Sequence, residues 1–201
     1  MISPIEEPPT LTETNKIDYF IQTNPLTISL RQNPNFTESR PHTEIASALQ
    51  SHNLMTGPLA GPHKISTPPY VFTEINGNRM AMILHLGSDI CGHPGIIHGG
   101  LLATLFDEAL ARCCFAALPN KIGVTANLNI DYRAPAVADA WFVLWAEIVR
   151  VEGRKVWGKG VLERLAGDGD GEEEERLVAE AKALFVEPRD VTGLKSIYKA
   201  V

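Results

Sequence analysis

The sequence has few cysteines, no long apolar run and no surplus of basic charge, and each shortage excludes a class of protein. Three cysteines without Cys-x-x-Cys spacing argue against a disulfide framework and a structural zinc site. No apolar run reaches the length of a membrane-spanning helix, about 18 residues. The net charge of −6 makes the chain a poor nucleic-acid binder by bulk electrostatics. An ordinary globular protein remains.

The acidic surplus lies in one short segment. Residues 168–175 hold six acids and no base, and the rest of the chain carries 18 acidic and 18 basic residues. We interpret this run as a solvated hairpin tip with little bearing on catalysis. Basic side chains elsewhere can therefore meet an anionic ligand locally.

The first 69 residues differ in composition from the rest. They are rich in Pro, Thr, Asn and Ser, and we predict helices only near 13–22 and 42–54. The N-terminus has neither a basic start nor an apolar stretch, which predicts no secretory signal and a cytoplasmic location, with mitochondria left open. We divide the chain into an N-terminal extension (1–69), a core domain (70–188) and a C-terminal tail (189–201).

From residue 70 the pattern is that of strands around one helix. Two runs, 70–75 and 79–86, flank Asn76-Gly77, a strong hairpin signal. An apolar helix is predicted over 99–118. Four strand-like runs follow it, at 122–133, 140–151, 154–165 and 176–187. Consecutive strands after one long helix predict an antiparallel sheet and the α+β class.

The predicted helix carries one carboxylate without an obvious partner. Glu108 and Arg112 can pair at i,i+4, whereas Asp107 lies among small residues on a helix that is apolar nearly all round. Burying an unpaired charge is costly. Asp107 is therefore either a carboxylate bonded to neighbouring backbone or one that faces a cavity for a ligand and a water.

A glycine-rich segment ends at the start of this helix and delivers His98, Gly99 and Gly100. Glycines there expose backbone N–H groups, and the helix dipole adds positive charge, so an oxyanion would be stabilised. Close packing is the alternative role for the glycines. Asp107 lies about 10 Å along the axis from Gly100, too far to act at its own helix start. The spacing favours a site shared in a two-fold dimer.

A third candidate, Thr125, stands at the entry to the strand after the helix. Strict alternation places Thr125 with Asn127, on the face opposite Leu128 and Ile130. Its hydroxyl could hold a water or the carboxylate of Asp107. A β-branched residue chosen to suit a strand is the alternative.

These residues together resemble the hotdog-fold acyl-CoA thioesterases, and most of all the THEM/PaaI-like group. The similarity covers 70–188 and rests on these motifs: His98-Gly99-Gly100, Asp107, Gly123-Val124-Thr125 and Asp131-Tyr132-Arg133-Ala134-Pro135-Ala136. It implies a hotdog fold, a long helix wrapped by an antiparallel sheet, in a homodimer or dimer of dimers with sites at the subunit interface. It also implies hydrolysis of acyl-CoA to a free acid and CoA.

The resemblance also implies roles for the candidate residues. The aspartate matching Asp107 acts as general base or nucleophile, and the glycine matching Gly99 donates its N–H to the thioester carbonyl. The hydroxyl matching Thr125 orients water or the aspartate, and the histidine matching His98 lies beside the carbonyl. The remaining histidines do not cluster at metal-ligand spacing, so we predict no metal and no cofactor.

The resemblance also bears on the expected substrate-binding surface. Many relatives carry a polar residue such as Asn six positions before the histidine, where this chain has Gly92 followed by His93. We expect Gly92, His93 and Gly100 to line the substrate, with His93 in place of the missing polar group. Arg133, Arg154 and Lys155 fall near strand ends or in the 150–155 turn, where they either meet the CoA phosphates or are ordinary solvated surface charges.

Two other functions stay open at this point. A hotdog hydratase uses an aspartate and a histidine close in sequence, and Asp89 and His93 match that pattern superficially. A non-catalytic acyl-CoA-binding hotdog protein would not need a carboxylate at Asp107. The presence of Asp107 therefore favours an enzyme.

Overall fold

The computed structural model describes residues 12–165 and 176–192 of the chain. Its α-helices are α1 (Glu13–Thr23), α2 (Pro25–Gln32), α3 (Ser47–Gln50) and α4 (Gly99–Phe115). Its strands are β1 (Phe36–Ser39), β2 (Tyr70–Glu74), β3 (Arg79–Leu86), β4 (Cys91–His93), β5 (Ile96–Ile97), β6 (Val124–Tyr132), β7 (Ala140–Glu152), β8 (Lys155–Arg164) and β9 (Arg176–Val186). None of the described helices is long and apolar enough to cross a membrane. The acidic run at 168–175 lies outside the described residues, as does most of the predicted tail.

One antiparallel sheet holds most of the strands, in the order β1-β2-β3-β7-β8-β9-β6. The Asn76-Gly77 turn joins β2 to β3 as predicted, with Gly77 at φ +74°, which glycine adopts without strain. The four runs predicted after the helix form β6 to β9. The α+β class is therefore confirmed, with β1 and β6 at the two edges of the sheet.

Helix α4 lies against one face of the sheet and supplies the main core. Leu105, Phe106 and Leu110 are fully buried there, and burying each such side chain contributes about 1.5–3 kcal/mol. Cys113 and Cys114 lie on the same buried side, and burial raises the pKa of each thiol to about 12. The long helix and its strands thus form the expected unit.

Helices α1 and α2 of the N-terminal extension cover the opposite face of the sheet, whereas Met55 and Ile65 of its later part pack in the same core as α4. Ile21 of α1 and Leu30 of α2 share a second core cluster with side chains of the sheet, namely Tyr70, Phe72, Ala81, Ile83 and Val143. Phe20 stacks on Trp141 with ring centroids 3.9 Å apart. Tyr70 Oη donates a hydrogen bond to Asp18 Oδ1 at 2.9 Å. The extension is therefore packed on the sheet.

The interior of the extension differs from its prediction. α1 matches the helix expected near 13–22, but the helix expected over 42–54 is reduced to a 3-10 turn at Pro41–Thr43 and the short α3. The Asn53 side chain accepts the N–H groups of Met55 and Thr56 at 3.0 Å, which closes a turn in place of a helix. α2 and β1 are not in the prediction.

Candidate active site

Asp107 has a partner on the edge strand. Thr125 Oγ1 of β6 donates a hydrogen bond to Asp107 Oδ1 of α4 at 2.7 Å. Asp107 is half-buried and Thr125 is exposed, so the pair is open to a ligand or a water. The hydroxyl fixes one carboxylate oxygen and leaves the other available. This arrangement suits a general base or a nucleophile.

A β-bulge turns Thr125 toward the helix. Thr125 is opposite Phe185 in β9, and Asn127 is opposite Leu184, so Ala126 is an extra residue in β6. Leu128 packs against the core under α4, and Thr125 bonds Asp107 of α4 from the same face of the sheet. The expectation that Thr125 lies on the opposite face from Leu128 is therefore wrong. Strict alternation fails where one residue is inserted in the strand.

The start of α4 is held by its own histidine. His98 is the N-cap, and its Nδ1 accepts the Gly100 N–H at 2.8 Å. A Cβ atom at residue 100 would lie 2.9 Å from His98 Nδ1, so glycine permits this close cap. Within the described part of the chain, the Gly99 N–H makes no hydrogen bond. Gly99, rather than Gly100, is the donor left for an oxyanion at this helix start.

Gly92 lies directly beneath the histidine cap. A Cβ atom at residue 92 would stand 3.0 Å from His98 Cδ2 and 3.2 Å from His98 Cα. A side chain at residue 92 would therefore require His98 to shift by a few tenths of an ångström. His93 is exposed on β4 beside it. The β4–β5 hairpin itself was not predicted, although Pro94-Gly95 is a turn signal and Gly95 has φ +74°.

The three basic candidates lie in two places. Arg133 Nε bonds Glu180 Oε2 at 2.8 Å. Arg154 Nη1 donates to the backbone oxygen of Glu187 at 2.6 Å, and Lys155 is exposed next to it at the start of β8. The single chain therefore does not bring Arg133 together with Arg154 and Lys155.

The two halves of the candidate site lie at opposite ends of β6. Thr125 and Asp107 meet at the start of the strand, whereas Tyr132 at its end contacts Gly99. Gly99 and Asp107 are eight residues apart on α4, about 12 Å along the axis. The Asp107 side of α4 is also less buried than expected, because β6 is the last strand of the sheet and no described element covers the helix beyond it.

An ion-pair cluster adjoins Asp107 on the side away from β6. The buried His42 of the extension contacts the Glu108 carboxylate through Nε2, and Arg112 Nη2 lies 3.4 Å from the same oxygen. Burial raises the pKa of Glu108, but the hydrogen bond and charge of His42 and the charge of Arg112 outweigh it, so the pKa lies below its usual value. The sequence predicted the Arg112 pair and not the His42 contact.

Replacing His42 by alanine is expected to lower the free energy of unfolding by about 1–3 kcal/mol, because the mostly buried Glu108 loses its hydrogen bond to His42 and keeps only the longer contact with Arg112. The folded-state pKa of Glu108 is depressed, so this stabilisation is full above its usual value of 4.5 and is lost as the pH falls through the folded value. Urea unfolding of parent and variant should therefore differ at pH 7 and converge in acid.

The exposed Lys159–Glu147 pair supplies the matched control. Its side chains are 52% and 38% exposed, and Lys159→Ala should cost at most about 1 kcal/mol. A His42→Ala loss no larger than this would mean that the His42–Glu108 contact does not anchor the extension.

Within residues 12–165 and 176–192, no three His, Cys, Asp or Glu side chains are grouped so as to hold a metal ion. The groups available for chemistry at this site are a carboxylate, a hydroxyl, an imidazole and a helix-start N–H.

A long helix against an antiparallel sheet, with candidate residues on the helix and the last strand, defines a hotdog-fold protein. The sequence profile of the thioesterase superfamily matches residues 94–157, which include His98, Gly99, Asp107 and Thr125. A UPF0644 protein of Schizosaccharomyces pombe is 35% identical over 185 residues, covering 92% of this chain and 70% of that protein. The chain belongs to the thioesterase superfamily.

Other relatives match a smaller part. The acyl-coenzyme A thioesterase THEM4 of Rattus norvegicus is 32% identical over 108 residues, 54% of this chain and 43% of that protein. A Candida albicans protein named as mitochondrial is 37% identical over 134 residues, 67% of this chain and 59% of that protein. The structure of thioesterase superfamily member 2 from Mus musculus aligns with TM-score 0.45 and 20% identity, covering 59% of this chain and 88% of that chain. This chain thus spans less than two thirds of the Candida and rat proteins.

Proposed function

We propose that this protein hydrolyses acyl-CoA thioesters to a free acid and CoA at sites shared between two copies of the chain. The hydrogen bond between Thr125 and Asp107 carries the proposal, because a carboxylate oriented by a hydroxyl on an open helix face is equipped to activate water. The Gly99 N–H at the helix start supplies the second requirement, a donor for the developing oxyanion. Membership of the thioesterase superfamily supports the same chemistry.

In the proposed reaction Asp107 takes a proton from water as the water oxygen attacks the thioester carbonyl carbon. The tetrahedral oxyanion accepts the N–H of Gly99, while His98 holds the first turn of α4 in place. Collapse of the intermediate breaks the C–S bond, and the CoA thiolate takes the proton from Asp107. In the other route an Asp107 oxygen attacks the carbonyl carbon, the C–S bond breaks and the CoA thiolate leaves. Water then hydrolyses the resulting mixed anhydride to the free acid and the Asp107 carboxylate, and the proton released goes to the thiolate. Both routes need the same residues in the same positions.

The open edge of β6 supports the dimer. This strand of nine residues pairs with β9 on one side only, and Val124 and Tyr132 are about half exposed on it. An exposed edge of this length is a template for another strand. Antiparallel pairing of two β6 strands about a two-fold axis would bring the start of one beside the end of the other. Asp107 and Thr125 would then adjoin Gly99 of the partner subunit.

Arg154 and Lys155 are the better placed of the basic candidates for CoA phosphates. Lys155 is opposite Val186 in β9, and Val186 is opposite Val124 in β6. Lys155 therefore lies two strands, about 10 Å, from the Asp107 end of β6. Arg133 follows Tyr132, which reaches α4, so Arg133 points away from the helix and is paired with Glu180. We propose that Gly92 and Gly100 line the substrate beside the thioester and that the exposed His93 supplies the polar group that Gly92 lacks.

A thiol-release assay over acyl-CoA substrates of short to long chain tests this function. We expect release of CoA well above the buffer rate for at least one chain length. Binding of acyl-CoA without release across the panel would contradict hydrolysis and favour the non-catalytic binder. The Candida albicans relative is named as mitochondrial, so we propose the mitochondrion beside the cytoplasm as the place of action.

A further inference from the structure

A tyrosine hydroxyl ties the edge strand to the first turn of the site helix. Tyr132 Oη donates a hydrogen bond to the backbone oxygen of Gly99 at 2.9 Å. A Cβ atom at Gly99 would stand 3.6 Å from the ring of Tyr132, which is ordinary van der Waals contact. Tyr132 thus touches the residue whose N–H is the proposed oxyanion donor, from the last residue of β6.

This contact contributes little to the core. Tyr132 is 53% exposed, so its ring buries much less apolar area than a core aromatic would. The Gly99 carbonyl belongs to a helix, where it already accepts the N–H of the residue four further along. The Gly99 carbonyl would therefore keep a hydrogen-bond partner if the bond from Tyr132 were removed.

The first turn of α4 is where an added restraint has most effect. It begins with two glycines, which have more backbone freedom than any other residue. His98 Nδ1 holds the Gly100 N–H, and Tyr132 Oη holds the Gly99 carbonyl of the same peptide unit. A donor aimed at an oxyanion must be held within about 0.5 Å of its productive position.

We propose that Tyr132 is a positioning residue that aims the Gly99 N–H at the thioester oxyanion. The inference rests on the proposed function and names a residue to which neither the sequence motif nor the resemblance gave a role. Tyr132 acts through Gly99, and its only described side-chain hydrogen bond is to that residue.

The experiment compares three tyrosine-to-phenylalanine variants. Tyr132→Phe keeps the ring and removes only the hydroxyl, and we expect kcat for CoA release to fall by about three- to tenfold, the equivalent of one hydrogen bond, with KM unchanged. Tyr19→Phe alters a 64% exposed tyrosine on α1 and should leave both constants as in the parent. Tyr70→Phe removes the buried bond to Asp18 and reports what a loss of stability alone does to turnover.

Two readouts separate positioning from other effects. Amide hydrogen exchange at Gly100, whose N–H is bonded to His98, should accelerate in Tyr132→Phe and stay unchanged in Tyr19→Phe, while light scattering should give the same oligomer for all variants. A kcat within twofold of the parent, or a loss explained by a smaller oligomer, would overturn the role of Tyr132 and leave the proposed function standing. A parent chain that releases no CoA would overturn both.

Discussion

Replacing Asp107 by asparagine is expected to lower kcat for acyl-CoA hydrolysis by about a thousandfold, within the range for loss of a general base. Asparagine is close in size and still offers an oxygen to the Thr125 hydroxyl, so the helix and strand should stay in place. The amide can neither take a proton from water nor attack a carbonyl. Steady-state thiol release and circular dichroism together check turnover and fold.

Asp131→Asn is the matched control for this change. Asp131 is an exposed carboxylate on β6, the strand that carries Thr125. It lies 3.7 Å from Arg133 and is not part of the Asp107–Thr125 pair. This variant should hydrolyse at the parent rate. If Asp107→Asn were also as fast as the parent, Asp107 would be neither base nor nucleophile.

Proline at position 99 should abolish most activity while preserving the helix. Proline lacks the N–H but is favoured at the first position of a helix, and His98 before it has φ −63° and ψ 130°, which a following proline accepts. Loss of one oxyanion donor should cost about 10²–10³ in kcat. Gly99→Ala keeps the N–H, meets Tyr132 only at 3.6 Å and should retain far more activity than proline.

Co-expression of the Gly99→Pro and Asp107→Asn chains tests whether the site is shared. A mixed dimer would hold one site with both changes and one with neither. Random pairing makes half of the dimers mixed, so activity should recover to about a quarter of the parent value. Recovery no greater than the sum of the two separate variants would place Asp107 and Gly99 of one chain in the same site and would refute the two-fold arrangement.

The sequence predicted the elements whose patterns are local. Local sequence patterns predict the apolar helix α4, the Asn76-Gly77 turn and the four later strands, and the structure confirms them. The extension was predicted less well, because Asn24 and Pro25 start α2 in a stretch of weak hydrophobic periodicity. Strand β1 is only four residues long and gains its place by pairing with β2.

The candidate site shows the same division between local and long-range information. His98, Gly99 and Asp107 stand out from the sequence because the helix fixes their spacing. The direction of Thr125 depends on an inserted residue in β6, whose presence only the pairing with β9 reveals. His42 and Glu108 are 66 residues apart in sequence, so their contact depends on where the extension folds back.

The burial of Cys113 and Cys114 bears on how released CoA can be counted. Disulfide reagents react with thiolates, and a pKa of about 12 leaves almost none of either thiol ionised at neutral pH. The remaining cysteine, Cys91, is half-buried beside Gly92 at the edge of the proposed site. We therefore expect the protein's own background signal with a thiol reagent to come from Cys91 alone. Cys91 lies next to the loop that carries His98.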